Sequence, residues 1–222
     1  MDLASPDLHA LAEGIKPLLD WRDVPVDLAS LAALAAGLGW ASGLRLYALV
    51  FVLGALERFA GVQLPGGLGM LAHPLVLGVS GLLLLVEFFA DKLPWLDSIW
   101  DAVHTFIRIP AGAALAAAVM GDQGGALQLA MGLLGGTLAA GTHLAKAGAR
   151  AAINTSPEPV SNVVASLGED VLFAGGVWTL IHQPLLFLAA LAVFCVLAFL
   201  LIVMLWRFVL RLFAPRSARP LP

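Results

Sequence analysis

The chain has 222 residues, of which 60% are hydrophobic and only 12% are charged, and its mean hydropathy is +0.94. Soluble domains are about 45–50% apolar and about 25% charged, so this composition excludes a disordered chain and argues against a soluble globular enzyme. The net charge of −3 and the lack of a basic face argue against nucleic-acid binding. We therefore expect an all-α integral membrane protein whose main partner is the lipid bilayer.

The first 27 residues are interpreted as a segment of their own. They begin with acidic residues and lack the basic stretch of a secretory signal. Leu8, Leu11 and Ile15 recur at helical spacing after a Ser-Pro start. This pattern predicts an N-terminal amphipathic helix within residues 1–27, which either lies on the membrane surface or is a short exposed leader.

Six stretches are apolar enough over about 20 residues to cross a bilayer as transmembrane helices. Turns rich in Gly, Pro and polar residues separate them. A membrane domain at 28–212 thus divides into halves of about 28–120 and 125–212, and a basic tail follows at 213–222. The predicted spans are Leu28–Leu56, Leu71–Ala90, Trp100–Val119, Ala126–Ala145, Val160–Ile181 and Leu185–Trp206.

The distribution of Lys and Arg predicts the orientation, because these residues favour cytoplasmic loops. With the N-terminus inside, nine of the twelve basic residues fall in cytoplasmic segments and only Arg58 falls outside. Arg45 and Arg108 lie within spans. We therefore expect a multi-pass protein of the cytoplasmic (inner) membrane with both termini in the cytoplasm.

Two ten-residue segments, Gly37–Leu46 and Gly135–Leu144, align at a shift of 98 positions. Each lies in the first span of its half. Because each half has three spans, a duplication would give two halves of opposite orientation, a 3+3 inverted repeat. The alternative is that two helices rich in Gly and Ala align by chance.

Small residues four positions apart predict close contacts between helices. Gly39 with Gly43 and Gly132 with Gly136 follow this pattern. The contacts are either internal or between the two copies of a homodimer.

Charged side chains within the predicted spans are the main functional signal, because a charge at the bilayer centre costs about 2.5–3.5 kcal/mol. Spacings of three and four place Asp97, Asp101, His104 and Arg108 on one stripe of the third span. The candidate residues for a substrate- or ion-binding site are Arg45, Glu87, Asp91, Asp101, His104, Arg108, His143, Asn154, Glu158, Glu169 and Asp170.

Two interpretations of these charges stay open. In the structural one, the arginines neutralise nearby carboxylates and fix helix packing. In the functional one, the charges line a water-filled cavity that binds an ion, a proton or an anionic head group. Membrane-buried charges favour the second interpretation, since an apolar contact would be less costly.

Two geometric expectations follow from the spacing. The short connection at 92–100 should bring the end of the second span beside the start of the third, so that His104 lies in a hydrated cytoplasmic vestibule with the neighbouring carboxylates. Arg45 should pair with Glu169 or Asp170 at a comparable depth.

A metal site is a further candidate. Glu87, Asp91, Asp101 and His104 offer oxygen and imidazole donors that suit Mg²⁺, Mn²⁺ or Fe²⁺, although Arg108 would oppose a cation. The sequence has no signature spacing for a catalytic metal, a nucleophile, a phosphate or a dinucleotide. We therefore predict no catalytic residue and no cofactor, and we do not expect an enzyme.

The connection at 147–162 is long and polar, and it contains Pro157 and Pro159. This pattern predicts irregular backbone that either re-enters the membrane at the edge of a cavity or forms an ordinary cytoplasmic loop.

Three long segments resemble a known family. They are GLGWASGLRLYAL from Gly37, AHPLVLGVSGLLLLVEFFADKLPWLDSIWDAVHTFIRIPAGA from Ala72 and AGTHLAKAGARAAINTSPEP from Ala140. Together with Glu169-Asp170 they resemble the bacterial membrane family known as domain of unknown function 4126, over about residues 31–181. The resemblance implies a small multi-span inner-membrane protein and carries no activity onto any residue.

These observations predict a small transporter or channel-like carrier with a charged cavity open to the cytoplasm, whose substrate is an ion, a proton-coupled solute or an anionic lipid or solute. The alternative is a membrane scaffold or accessory subunit with a structural charge network. A weaker alternative is a membrane-embedded lipid-processing enzyme that uses Glu87, Asp91 and His104.

Overall fold

The computed structural model describes residues 28–155 and 160–213, and all regular structure in these ranges is helical. The predicted N-terminal helix at 1–27, Glu158 and the tail beyond Phe213 lie outside the described residues. A 3-10 helix at Gly66–Ala72 precedes the second α-helix. The α-helices are α1 (Leu28–Ala60), α2 (Pro74–Ala90), α3 (Pro94–Ala118), α4 (Gly125–Ile153), α5 (Val160–His182) and α6 (Pro184–Phe213).

Proline residues fix where several helices begin. Pro74, Pro94 and Pro184 are the first residues of α2, α3 and α6, a position where the missing amide hydrogen costs nothing. At the start of α2, His73 Nδ1 also accepts a hydrogen bond from the Leu75 amide at 3.2 Å. Each of the six predicted spans therefore coincides with a helix, within a few residues at most ends.

Three helices in the described ranges are long and apolar enough to cross a membrane: α1, α5 and residues Pro184–Arg211 of α6. A fourth span exists if the 3-10 helix and α2, which are bent by 74° relative to each other, count as one. α3 and α4 are long enough but are not among the helices that are apolar enough to qualify. The all-helical class is confirmed, and these helices are candidate membrane spans by length and composition. The number of six spans stays a prediction.

The predicted first span is not one continuous helix. Arg45 has non-helical backbone angles (φ −144°, ψ 71°) and divides α1 into two arms. We call residues 28–44 the first arm and residues 46–60 the second arm. Almost every residue from Leu31 to Leu46 is buried, so the first arm fills the centre of the bundle.

Contacts between helices give the direction of each one. α3 and α4 are antiparallel, with Asn154 beside Pro94 and Gly132 beside Ala117. The first arm is antiparallel to α3 as well. Gly39 meets Gly135, which packs against Ala116, whereas Ser42 packs against Gly112 and its Oγ donates to the Arg108 carbonyl at 2.9 Å. The first arm and α4 therefore run in the same direction.

This parallel packing contradicts the predicted inverted repeat for its best-aligned pair of segments. Gly39 lies against Gly135 and Gly43 lies against Ala139, so residue numbers rise together along both helices. Helices that correspond in an inverted repeat have to run in opposite directions. The alignment at a shift of 98 therefore reflects two glycine-rich helices that pack closely rather than an inversion.

The small-residue pairs are used inside the chain. Gly39 and Gly43 face α4, and Gly132 and Gly136 face Ala113 and neighbouring atoms of α3. These glycines contact helices of the same chain, which is the internal alternative, and a homodimer stays a prediction.

The predicted irregular connection at 147–162 is shorter than expected. α4 continues as a helix to Ile153, and α5 begins at Val160. The prediction of irregular backbone is therefore wrong for 147–153, where Arg150 anchors the helix to its neighbours, and residues 156–159 lie outside the described ranges.

Candidate functional site

Ten charged side chains of the described ranges meet in the interior where α1 is broken. They come from all helices except α6 and form a continuous set of ion pairs. We call this set the ion-pair network. Its cations are Arg45, Arg108, Lys146 and Arg150, and its carboxylates are Glu87, Asp91, Asp97, Asp101, Glu169 and Asp170.

Arg45 lies at the break and connects α1 to α2 and α5. Its Nη1 donates to Asp91 Oδ2, and its Nη2 lies 2.9 Å from Asp170 Oδ1 and 3.8 Å from Glu169 Oε2. The same Nη2 donates to the carbonyl and hydroxyl oxygens of Ser166, each at 3.1 Å. The predicted pairing of Arg45 with the acidic pair on α5 is confirmed, and Asp91 is an additional partner.

Arg108 is the corresponding centre on α3. Its Nη2 donates to Glu87 Oε1, and its Nη1 lies 3.2 Å from Asp101 Oδ1. Nη1 is also 3.3 Å from His143 Nδ1 and 3.5 Å from the Gly43 carbonyl oxygen. The predicted neighbourhood of Glu87, Asp101 and Arg108 is therefore confirmed.

Lys146 and Arg150 on α4 are members of the network that the sequence argument missed. Lys146 Nζ lies 3.3 Å from Glu169 Oε2 and 3.4 Å from Asp91 Oδ2. Their spacing could have indicated this membership, because His143, Lys146 and Arg150 are three and four positions apart and share one face of a helix. The expected end of the fourth span at Ala145 placed both cations in a loop instead.

Arg150 joins four elements at one end of the network. Its Nε and Nη2 donate to the two oxygens of Glu169 at 2.8 and 3.2 Å. Its Nη1 donates to the Asp91 carbonyl at 3.1 Å and to the carbonyl and side-chain oxygens of Asn162 at 3.0 and 3.1 Å. Asp97 Oδ1 lies 3.8 Å from Nε. The planar guanidinium makes these contacts with all three nitrogens, which an ammonium group could not do.

The broken end of the first arm is held by cations. Arg108 and Lys146 each approach a carbonyl oxygen of this end, those of Gly43 and Leu44, at 3.5 Å. The carbonyls at a helix C-terminus carry partial negative charge and lack an intrahelical donor. The same two cations that pair with carboxylates of the network therefore also hold the backbone at the break.

His104 contacts neutral groups, whereas His143 lies between Thr105 and the Arg108 guanidinium. His104 stacks on Trp100 with ring centroids 3.8 Å apart, and its Nδ1 lies 2.7 Å from the Trp100 carbonyl. His143 Nε2 lies 2.7 Å from Thr105 Oγ1. His104 is only 5% exposed. The expectation of a hydrated vestibule around His104 is contradicted by this burial, because the imidazole packs against the rings of Trp100 and Tyr47. Asp91 pairs with Arg45 and Lys146 instead.

Asn154 and Asp97 close one end of the network. The Asn154 amide lies 2.7 Å from the Pro94 carbonyl, 2.8 Å from Ser98 Oγ and 3.0 Å from Asp97 Oδ2. This cluster ties the end of α4 to the first turn of α3. Burial raises the pKa of Asp97 to about 6, although nearby Arg150 lowers it. Asp97 lies before the predicted third span, in the first turn of α3.

The structure does not assemble the proposed metal ligands. Within 28–155 and 160–213, no group of three or more His, Cys, Asp and Glu side chains is arranged to hold a metal ion. Glu87 and Asp101 face Arg108, Asp91 faces two cations, and His104 faces Trp100. The proposed metal site is therefore not supported by the described residues.

Access to the network is confined to α5. The side chains of Glu169 and Asp170 are 14% and 42% exposed, whereas the other eight members are at most 5% exposed. Several buried atoms in the described ranges lack a hydrogen-bond partner, among them Glu87 Oε2, Asp91 Oδ1 and Asp101 Oδ2. The network is thus buried on most sides, and several of its carboxylate oxygens could accept a further hydrogen bond.

Long apolar helices around a buried ion-pair network are typical of an α-helical membrane protein. The chain belongs to the family described as Domain of unknown function (DUF4126), whose model matches residues 32–204. This confirms the family and extends the match into the last helix. No curated protein and no solved structure matches the chain.

Proposed function

We propose that this protein is a small membrane carrier or channel-like transporter, and that the ion-pair network is its ion-binding site. The observation that supports this function is the break of an apolar helix at Arg45 inside a cluster of charges. Discontinuous helices whose ends meet charged side chains at membrane depth are typical of binding sites in transporters. Each charge placed there costs about 2.5–3.5 kcal/mol on insertion scales, which packing alone would not require.

The charge balance favours a cation or a proton as the ligand. Six carboxylates oppose four cations, so the fully ionised network has two excess negative charges. Asp170 is partly exposed, but Glu87, Asp91, Asp97 and Asp101 are almost completely buried. A proton or a small cation would reduce the excess charge, whereas an anionic solute would increase it. We therefore favour a proton-coupled or cation-coupled carrier within the wider class that the sequence predicts.

Entry to the site is proposed at Glu169 and Asp170. These two carboxylates are the exposed members of the network, and both pair with Arg45. An ion that displaces Arg45 from Asp170 would next meet Asp91 and Lys146. The route therefore leads from the surface of α5 to the break in α1.

The proposed location is the cytoplasmic membrane, with the Asn154 end of the bundle in the cytoplasm. That end carries Lys92 after α2 and Arg207 and Arg211 near the end of α6. Arg58 lies in the last turn of the second arm, towards Gly66. Basic residues favour the cytoplasmic side of a membrane protein. An accessory or scaffold subunit is the second candidate function, because every cation of the network has a carboxylate partner.

Flux through purified protein in liposomes tests the proposal. A pH-sensitive dye inside the vesicles should report proton movement when a gradient of protons, Na⁺ or K⁺ is imposed, and Glu87→Gln and Asp170→Asn should reduce the rate. Glu57→Gln is the matched control, since Glu57 lies outside the network. Folded wild-type protein that moves none of these ions, with variants that differ only in stability, would favour the scaffold.

A further inference from the structure

We propose that α1 is a re-entrant hairpin, which enters and leaves the membrane on the same side, and that its tip at Arg45 closes the ion-pair network on that side. The chain then crosses the membrane with α2 to α6 only, so the start of α1 and the end of α6 lie on opposite sides. This inference concerns topology and does not rest on transport.

The first arm approaches its tip from the Gly66 end of the bundle. By this end we mean the surface at which Gly66 contacts Ala118 and Gly121. Gly39 lies against Gly135 of α4, while the Leu44 carbonyl near the tip accepts from Lys146 Nζ, whose residue is about three helical turns further along α4. Since α4 begins just after Gly121, the first arm runs inward from the Gly66 end.

The second arm returns to the same end. Phe51 packs against Gly81 and Gly54 packs against Leu77, so residue numbers fall along α2 as they rise along the arm. The arm then leads to Gly66, which contacts the carbonyl oxygens of Ala118 and Val119 at the end of α3. The second arm is therefore antiparallel to α2 and runs outward to the Gly66 end.

A straight α1 is excluded by chain length. It would place Ala60 about 22 Å beyond Arg45, because a helix rises about 1.5 Å per residue. Gly66 lies on the other side of Arg45. It contacts Ala118, which is six residues further along α3 than Gly112, the residue against which Ser42 of the first arm packs. The gap from Ala60 would exceed roughly 30 Å, but six extended residues reach only about 20 Å. The chain has to turn back at Arg45.

The two arms fill the space between the network and the Gly66 end with apolar side chains. Leu34, Leu38, Leu49 and Leu53 of the hairpin are buried in one core with Leu68. Both arms therefore pack among apolar side chains, and the charged side chain of the hairpin in the network is Arg45 at the tip. An ion in the network is therefore separated from the Gly66 side by the packed hairpin and meets no such barrier at Asp170.

Single-cysteine labelling tests the hairpin. Cys195, the only cysteine of the sequence, is replaced by Ala, and Cys is introduced in turn at Leu28, Gln123, Thr155 and Arg211, which are exposed positions. A membrane-impermeant maleimide is applied to sealed vesicles of each orientation. The proposal expects Leu28→Cys and Gln123→Cys to react from one side, and Thr155→Cys and Arg211→Cys to react from the other.

The six-span alternative places Leu28 on the side of Thr155, so reaction of those two from the same side would overturn the hairpin. Reaction of Leu28→Cys only after detergent is added would place that residue inside the bilayer and would overturn it equally. Gln123→Cys and Thr155→Cys react from opposite sides in both topologies and thus confirm that the vesicles are sealed and the protein is folded. The result is independent of whether any ion is transported.

Discussion

Gly39 packs directly against Gly135: a Cβ atom built at Gly39 would lie 2.6 Å from the Cα atom of Gly135 and 2.5 Å from its carbonyl oxygen. Both obstructing atoms belong to the backbone, so no side-chain rotation can relieve the contact. The first arm and α4 therefore approach as closely as two helices can, and this distance places the break at Arg45 within reach of Lys146.

A methyl group at this contact should separate the two helices. We expect Gly39→Ala to destabilise the protein by about 1–3 kcal/mol, as overpacking does. Gly141→Ala is the matched control on α4, where a Cβ meets no atom within 4 Å, and it should stabilise by about 0.5–1 kcal/mol. Unfolding in detergent measures both changes, and a similar effect of the two substitutions would contradict the close contact.

The pair of Arg45 and Asp170 should show energetic coupling. Removal of one partner of a buried ion pair costs about 3–5 kcal/mol, so Arg45→Ala should be strongly destabilising. The double change with Asp170→Ala should cost less than the sum of the single changes, by about 0.5–3 kcal/mol. Arg58→Ala, at an exposed position of the same helix, should change stability by less than about 0.5 kcal/mol. Strictly additive losses would refute the coupling.

Arg108 should not be replaceable by lysine. Its guanidinium reaches Glu87, Asp101 and His143 from two nitrogens, and a single ammonium cannot make all three contacts. We expect Arg108→Lys to lose about 1.5–3 kcal/mol, the range of one hydrogen bond to a charged group. Arg207→Lys at an exposed position of α6 is the control. Equal melting temperatures for the two variants would show that charge alone matters at Arg108.

Asp97 should make stability depend on pH. Its pKa is about 6 in the folded protein against 3.8 for the free side chain, so between these values the folded state holds a proton that the unfolded state lacks. Stability from this group is therefore fully present below pH 3.8 and is lost as the pH rises through about 6. The melting temperature of the wild type should rise more than that of Asp97→Asn when the pH falls from 7 to 5. Identical pH profiles would exclude this contribution.

Much of the fold could be predicted from sequence, because helix boundaries depend on local signals. Pro74, Pro94 and Pro184 mark helix starts, and apolar runs of about 20 residues mark the helices between them. The stripe that contains Asp101 and Arg108 was likewise readable from spacings of three and four. These signals involve residues that are close in the chain.

The break at Arg45 and the role of Lys146 could not be predicted in the same way. The local sequence around Arg45 gives only a weak signal, since no proline lies within the stretch from Leu28 to Ala60 and the pair Ser42-Gly43 permits a kink without requiring one. The break depends on Asp91 and Asp170, which are 46 and 125 positions away, and on donors that hold the carbonyls of the first arm. The orientation was predicted by counting basic residues in each loop. That count assumes that each apolar stretch crosses the membrane, so it could not indicate a re-entrant hairpin.

The half-exposed carboxylate of Asp170 has a consequence for the surrounding lipid. It lies ten residues into α5, about 15 Å along the helix, between the exposed side chains of Leu167 and Val171. A hydrocarbon layer of even thickness would leave the outer face of this polar side chain without a partner. We therefore expect head groups and water to descend along α5 to its level, and the bilayer to be thinner there than beside α6, which carries no charge from Leu185 to Trp206.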